Sequence, residues 1–361
     1  MDALGLLALN LGMGAAAVQP LNTPEATLAA FLEALVAGDA ERAAQCYRPP
    51  YREQVRQGIG SAGQQWQLMR AGAQALTLWQ PRWREALQPQ IQVWGDVARA
   101  FAILELPFAF LGNERRFPVW LALAREGEEW LIDDNPRQVL LALTREWSTA
   151  ESEHFIYHFP SEGLVTRRDM LYHEQHFRRI QSLLEVEVPD KIHYFRAATP
   201  EQLLELGIAD DLGEGYYGVV ICATSRFAHE VTHAMLTQQP PNNWLSEGVA
   251  MLWGQDWDNP WEAHPTAIAR ELLRRGQLLP LERLIHTPIY LTFFPDFSRS
   301  TAVAYPQAAS FIHYLTTQFP MSCFRQLFAR ANLRNVEEVF QEIYGQPIQK
   351  VEADWRAWLE K

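Results

Sequence analysis

"FAHEVTHAML", residues 227–236, sets a histidine and a glutamate one helical turn ahead of a second histidine. Residues four apart share a helix face, so His229 and His233 can aim two imidazoles at one point, and Glu230 can reach a water held there. Two ligands and a general base within a turn and a half are the working parts of an HExxH zinc site. The plainer reading is a helix that carries two histidines by chance. Random placement of this many histidines and glutamates gives the pattern in about one such chain in fifty, so the pentapeptide alone does not decide.

A catalytic zinc has three protein ligands and an open position for water, so a third donor must arrive from elsewhere. In "QQPPNNWLSEGVAMLWG" (238–254), Pro240, Pro241 and Asn242 break the first helix and a second can begin near Trp244 to Ser246. Glu247 then stands 14 positions past His233, enough chain for a turn and a return past the metal.

HExxH followed by W-L-S-E-G-V-A resembles the gluzincin metallopeptidases, and especially the peptidase MA-like family, over residues 150–361. The resemblance implies a zincin-type α+β peptidase domain with a mostly helical C-terminal part. It implies one Zn2+ bound by His229, His233 and Glu247, with Glu230 taking a proton from the attacking water and delivering it to the leaving amine. An oxyanion partner is expected downstream of the third ligand: Tyr305, at the head of "YPQAASFIHYL" (305–315), first, and His313 second. In such enzymes a strand ahead of the motif helix pairs with an extended peptide, which assigns Gly218, Val219, Val220 and Ile221 of "GYYGVVICAT" (215–224) to substrate binding. The plainer readings are a tyrosine that packs a helix end, a core or surface histidine, and an ordinary buried strand.

The sequence departs from thermolysin-like gluzincins at Met251, where an Asp would orient a ligand histidine, so either that support comes from another residue or the site is tuned differently. No glycine-rich exopeptidase motif is seen, which favours an endopeptidase, or a peptidase of narrow specificity, over an aminopeptidase, with a peptide or protein as substrate. A reading from a different class keeps the zinc fold for peptide capture or scaffolding. The intact Glu230 speaks against it, because a site that only holds metal needs no base. His173 and His176, three apart, are expected on an exposed helix face rather than at a second metal, and "DWDNPWEAH" (256–264) in a solvated loop.

At 361 residues, 48% hydrophobic and 20% charged, the chain should form two folded domains. A net charge of −12 without a basic run makes nucleic acid and anionic membranes poor partners. Cys46, Cys222 and Cys323 are too few and too scattered for a disulfide framework or a cysteine zinc site. Residues 1–21 combine an apolar stretch and small residues, as a signal peptide does, yet Asp2 stands where a basic start belongs. The segment is either a truncated export signal, implying an exported or cell-envelope protein, or a leader on a cytoplasmic one. It is too short for a comfortable membrane span, and the mature chain is expected to have none.

"TPEATLAAFLEALVAGDAERAAQCY" (23–47) reads as two amphipathic helices, with Thr23 as N-cap, Pro24 at the first helical position and "AGD" at the join. "QIQVWGDVARAFAILELPFAF" (90–110) and "RRFPVWLALAREGEEWLIDD" (115–134) alternate in the manner of antiparallel hairpins, broken by Gly-Asp, Gly-Asn and Gly-Glu turns. Helices followed by a curved sheet make an α+β unit. The "TPE…FLEAL…GD…A…Y" opening and the closing W-L-I-D-D strand resemble the nuclear transport factor 2-like (SnoaL-like) cone fold over residues 22–136. Appended to another domain, that fold often serves docking or dimerisation, so a homodimer through this unit is expected. Residues 137–149 read as a linker.

Overall fold

Thr23 begins the first helix through the chemistry its sequence suggests: its hydroxyl accepts the Ala26 N–H at 3.1 Å, and Pro24 follows at the first position of α1 (Pro24–Ala37). Gly38, at φ 68°, closes α1, and Asp39 caps α2 (Ala40–Gln45). The computed structural model describes residues 20–79, 89–105, 116–207, 213–236, 243–254, 264–289, 292–293 and 299–361. The leader up to residue 19, the helix breakers 240–242, the Gly-Asn turn at 112–113 and the acidic stretch 256–263 lie outside them.

After α3 (Pro49–Gln57) and α4 (Gly60–Trp79) comes an antiparallel meander of β1 (Gln90–Trp94), β2 (Val97–Glu105), β3 (Arg116–Glu126) and β4 (Glu129–Ile132), in that spatial order. Its described hairpins turn at Gly95-Asp96 and Gly127-Glu128, as the alternation predicts. Leu28, Phe31 and Trp66 from the helices meet Ala98, Leu121 and Leu123 from the sheet in one core.

The segment 137–149 is not a bare linker. It forms α5 (Arg137–Leu143) and the start of β5 (Ser148–Glu151), because Leu140 has an apolar seat beneath the second sheet. That sheet has the order β5-β6-β7-β9-β8, with β6 (Phe155–Phe159), β7 (Ile192–Arg196), β8 (Gly213–Tyr216) and β9 (Val219–Cys222). β6, β7 and β9 run parallel, through crossovers that contain α6 (Arg167–Leu184) and α7 (Pro200–Glu205). Their period-2 alternation serves two cores. Tyr157, Tyr194 and Val220 face Phe177, Ile180 and Val231, while Phe195, Val219 and Ile221 face Leu140 and Leu203.

The remainder is helical: α8 (Ala228–Leu236), α9 (Asn243–Trp253), α10 (Pro265–Arg274), α11 (Leu281–Ile285), a π-helical turn (Ser300–Ala304) running into α12 (Tyr305–Gln318), then α13 (Met321–Arg330), α14 (Val336–Tyr344) and α15 (Ile348–Leu359). α12 is buried nearly all round, with Phe311 between Trp244 and Trp355, so it packs against α9, α10 and α15 at once. The molecule is thus mixed α+β, with antiparallel and mixed sheets. Among the described residues no helix is long and apolar enough to cross a membrane.

Candidate metal centre

His229 and His233 project from α8 toward Glu247 of α9. Nε2 of His233 lies 3.2 Å from Nε2 of His229 and 3.2 Å from Oε2 of Glu247, and the third side of the triangle is 3.5 Å. A tetrahedral zinc with N and O ligands at about 2.0–2.1 Å requires ligand-to-ligand spacings of about 3.3–3.4 Å. The three donors therefore already stand at the corners that one face of such a site occupies. Their side chains keep 14%, 11% and 14% exposure, so the site is sunken yet open to a further ligand. Glu230 is nearly buried beside them, its Oε1 4.0 Å from Nε2 of His229.

The three side chains are strongly coupled. Burial pushes the Glu247 carboxyl up, but the His233 and His229 rings outweigh it and hold the group at about 2. Burial pulls His233 down, and the Glu247 carboxylate reverses the effect, to about 9. His229, where burial prevails, is lowered. Without a metal, the charge held on the His233 ring balances the Glu247 carboxylate; a His2Glu donor set is one that suits zinc, which would displace that ring proton.

One of the three candidate ligands, His233, is held from behind. Nδ1 of His233 lies 3.1 Å from Oγ of Ser246, and donation from Nδ1–H to that oxygen leaves the Nε2 lone pair free for a metal. Ser246 thus stands where it can orient the His233 ring. We expect Ser246→Ala to weaken zinc binding by about 10–100-fold in a chelator competition, with the fold intact. The Ala250 carbonyl lies beside the His229 ring. Thr232, inside the motif, gives its hydroxyl proton to the Ala228 carbonyl at 2.8 Å and accepts from Nε2 of His176 at 2.8 Å. His176 therefore braces the motif helix. It and His173 are buried, not exposed as expected, because their face of α6 packs on the sheet and on α8.

Glycine lets the surrounding elements come this close. A Cβ on Gly215 of β8 would lie 2.0 Å from the Glu230 carbonyl oxygen, one on Gly254 2.7 Å from Cα of His229, and one on Gly248 2.6 Å from Ile312 of α12. Since the Gly215 neighbour is backbone, it cannot rotate away. Gly215→Ala should cost about 1–3 kcal/mol of stability, measurable by denaturant unfolding.

The strand expected to receive a peptide is corrected. Val219, Val220 and Ile221 form β9, whose two edges are taken by β7 and β8, and Gly218 sits in the hairpin turn, so none of the four offers an open edge. β8 is the outer strand on that side of the sheet, and it packs more extensively than β9 on the motif helix.

No family model matches the chain, and no curated protein matches it. The case for a metal therefore rests on the chain's own atoms. Tyr305 opens α12, directly after the π-helical turn. Its helix face, 305-308-309-312, carries Ala308 and Ile312 onto Gly248, the neighbour of Glu247. His313 is engaged elsewhere, with Nδ1 2.9 Å from the Thr266 hydroxyl and its ring beside Trp358. A second acidic group, Glu153, His154 and Glu174, has its acceptors committed: Glu174 takes Ser152 Oγ at 2.7 Å and His154 N at 2.8 Å, and Glu153 takes Arg178 at 2.5 Å.

Proposed function

We propose that the chain is a zinc-dependent peptidase of gluzincin type, with His229, His233 and Glu247 as the metal ligands and Glu230 as general base. The observation that carries this reading is the 3.2, 3.2 and 3.5 Å triangle, with a carboxylate that is not a ligand next to it. Zinc, when bound, would acidify a water and polarise the scissile carbonyl. Glu230 then takes the proton released as water adds to that carbonyl and hands it to the departing amine. Tyr305, one helical turn ahead of the Ala308 contact with Gly248, is assigned as the donor to the developing oxyanion. Ser246 and His176 keep the ligand-bearing helix in register while charge shifts across it.

The substrate in this reading is an extended peptide or an unfolded stretch of protein, and β8 replaces β9 as the strand beside which it lies. The N-terminal unit, four helices on a four-stranded meander, is read as a nuclear transport factor 2-like accessory domain.

The test is incubation of the purified chain with a proteome-derived peptide mixture, read by mass spectrometry, with zinc present, after chelation, and after zinc is restored. Cleavage that vanishes on chelation and returns with zinc is the expected result. Cleavage indifferent to the chelator would remove the metal from the mechanism.

A further inference from the structure

The N-terminal unit grips the segment that carries β8 at both ends. Ahead of the strand, the buried Arg99 of β2 donates from Nη1 to the Glu205 carbonyl at 2.6 Å. Gly207, at φ 104°, lies so near the Trp120 ring of β3 that a Cβ there would sit 2.6 Å from it. Behind the strand, Tyr217 and Gly218 make the two-residue turn into β9, with φ 49° and 71°. A left-handed backbone is costly for tyrosine, so something must hold Tyr217 in it. Its hydroxyl donates to the buried Asp134 carboxylate, which the Ser61 hydroxyl also reaches, and its ring lies 5.9 Å from that of Tyr51. All three partners belong to the N-terminal unit.

The gripped strand bears directly on the metal helix. Gly215 touches the Glu230 carbonyl, and the Gly218 N–H donates to the Ala234 carbonyl at 3.0 Å. We propose that the N-terminal unit sets the position of the peptide-binding edge, with Tyr217, anchored on Asp134, as the positioning residue that fixes β8 against the motif helix. The proposal rests on the peptidase reading, and on β8 as its substrate-side strand. It gives the appended domain a task in the reaction that needs no ligand of its own. A strand held from outside its own sheet can present its backbone to a substrate without first losing freedom, which is where preorganisation raises affinity.

The experiment compares full-length wild type with Tyr217→Phe, which keeps the ring and removes the hydroxyl, and Asp134→Ala, which removes the acceptor. Hydrogen exchange over residues 213–222 is read alongside zinc content, kcat and KM for a peptide found among the cleavage products. Both variants should exchange faster in 213–222. KM should rise by about threefold to tenfold, the range one buried hydrogen bond spans, with kcat and zinc content held. Unchanged exchange in both variants would overturn the grip whatever the activity, and faster exchange with unchanged KM would overturn its role in substrate binding. A loss of kcat at constant KM would mark the contact as merely structural and count against the proposal. Failure of the wild type to cleave any peptide would count instead against the peptidase reading, while exchange would still decide whether the grip exists.

Discussion

Glu230→Gln should lower peptide turnover by about 10^2–10^4-fold and leave one zinc bound per chain. The amide has nearly the shape of the carboxylate and fills the same nearly buried place beside His229, so the packing of α8 against β8 and α9 has no reason to change. The three donors at 3.2–3.5 Å from one another do not include Glu230, so affinity for metal should stay close to that of the wild type. What is lost is the ability to accept a proton, because an amide oxygen is far too weak a base near neutral pH. The decisive pair of readings is kcat/KM and metal stoichiometry on the same sample. Turnover that survives with zinc in place would move the base to another residue. A wild type and variant that both hold zinc and both leave every peptide intact would favour the capture role over hydrolysis.

Local chemistry made the first helix and the hairpins legible. Thr23, Pro24, Gly38 and Asp39 each act within a few residues of where they stand, and Gly95 and Gly127 mark turns whose alternating flanks pair with each other. The HExxH helix and the helix bearing Glu247 were legible for the same reason, since a spacing of four needs no tertiary knowledge. What escaped the sequence is what depends on a neighbour remote in the chain. The resemblance made β9 an edge strand because it lies just ahead of the motif helix, and only the sheet order shows β7 and β8 taking both its edges. His173 and His176 look like a solvated pair until α6 is laid against α8. Ser246 looks like a spacer before the glutamate, although its hydroxyl meets a histidine 13 residues earlier. The missing Asp at Met251 pointed either to a partner elsewhere or to a differently tuned site, without saying which residue it would be.

Removing the third donor tests the centre from the other side. In Glu247→Ala the two imidazoles still face one another from α8, but two histidines four apart make a far weaker site than a closed triad. Shared among its ligands, the roughly 10–16 kcal/mol typical of structural zinc binding puts the loss of one on the order of 10^2–10^3-fold in affinity. The consequence can be read without any substrate. Zinc at about a thousand times its dissociation constant stabilises the folded wild type by about 4 kcal/mol, and at the same concentration the variant should gain only about 0.4–1.4 kcal/mol. For a domain of this size each kcal/mol moves the midpoint by about 2–4 °C, so added zinc should raise the wild-type Tm by about 8–16 °C and the variant's by only a few degrees. The comparison is of each protein with and without zinc, because the alanine also removes the buried carboxylate that raises His233 and so alters the metal-free fold in its own right. An equal zinc-induced shift in the two proteins would exclude Glu247 as a ligand and leave α9 to pack against α8 for reasons of its core alone.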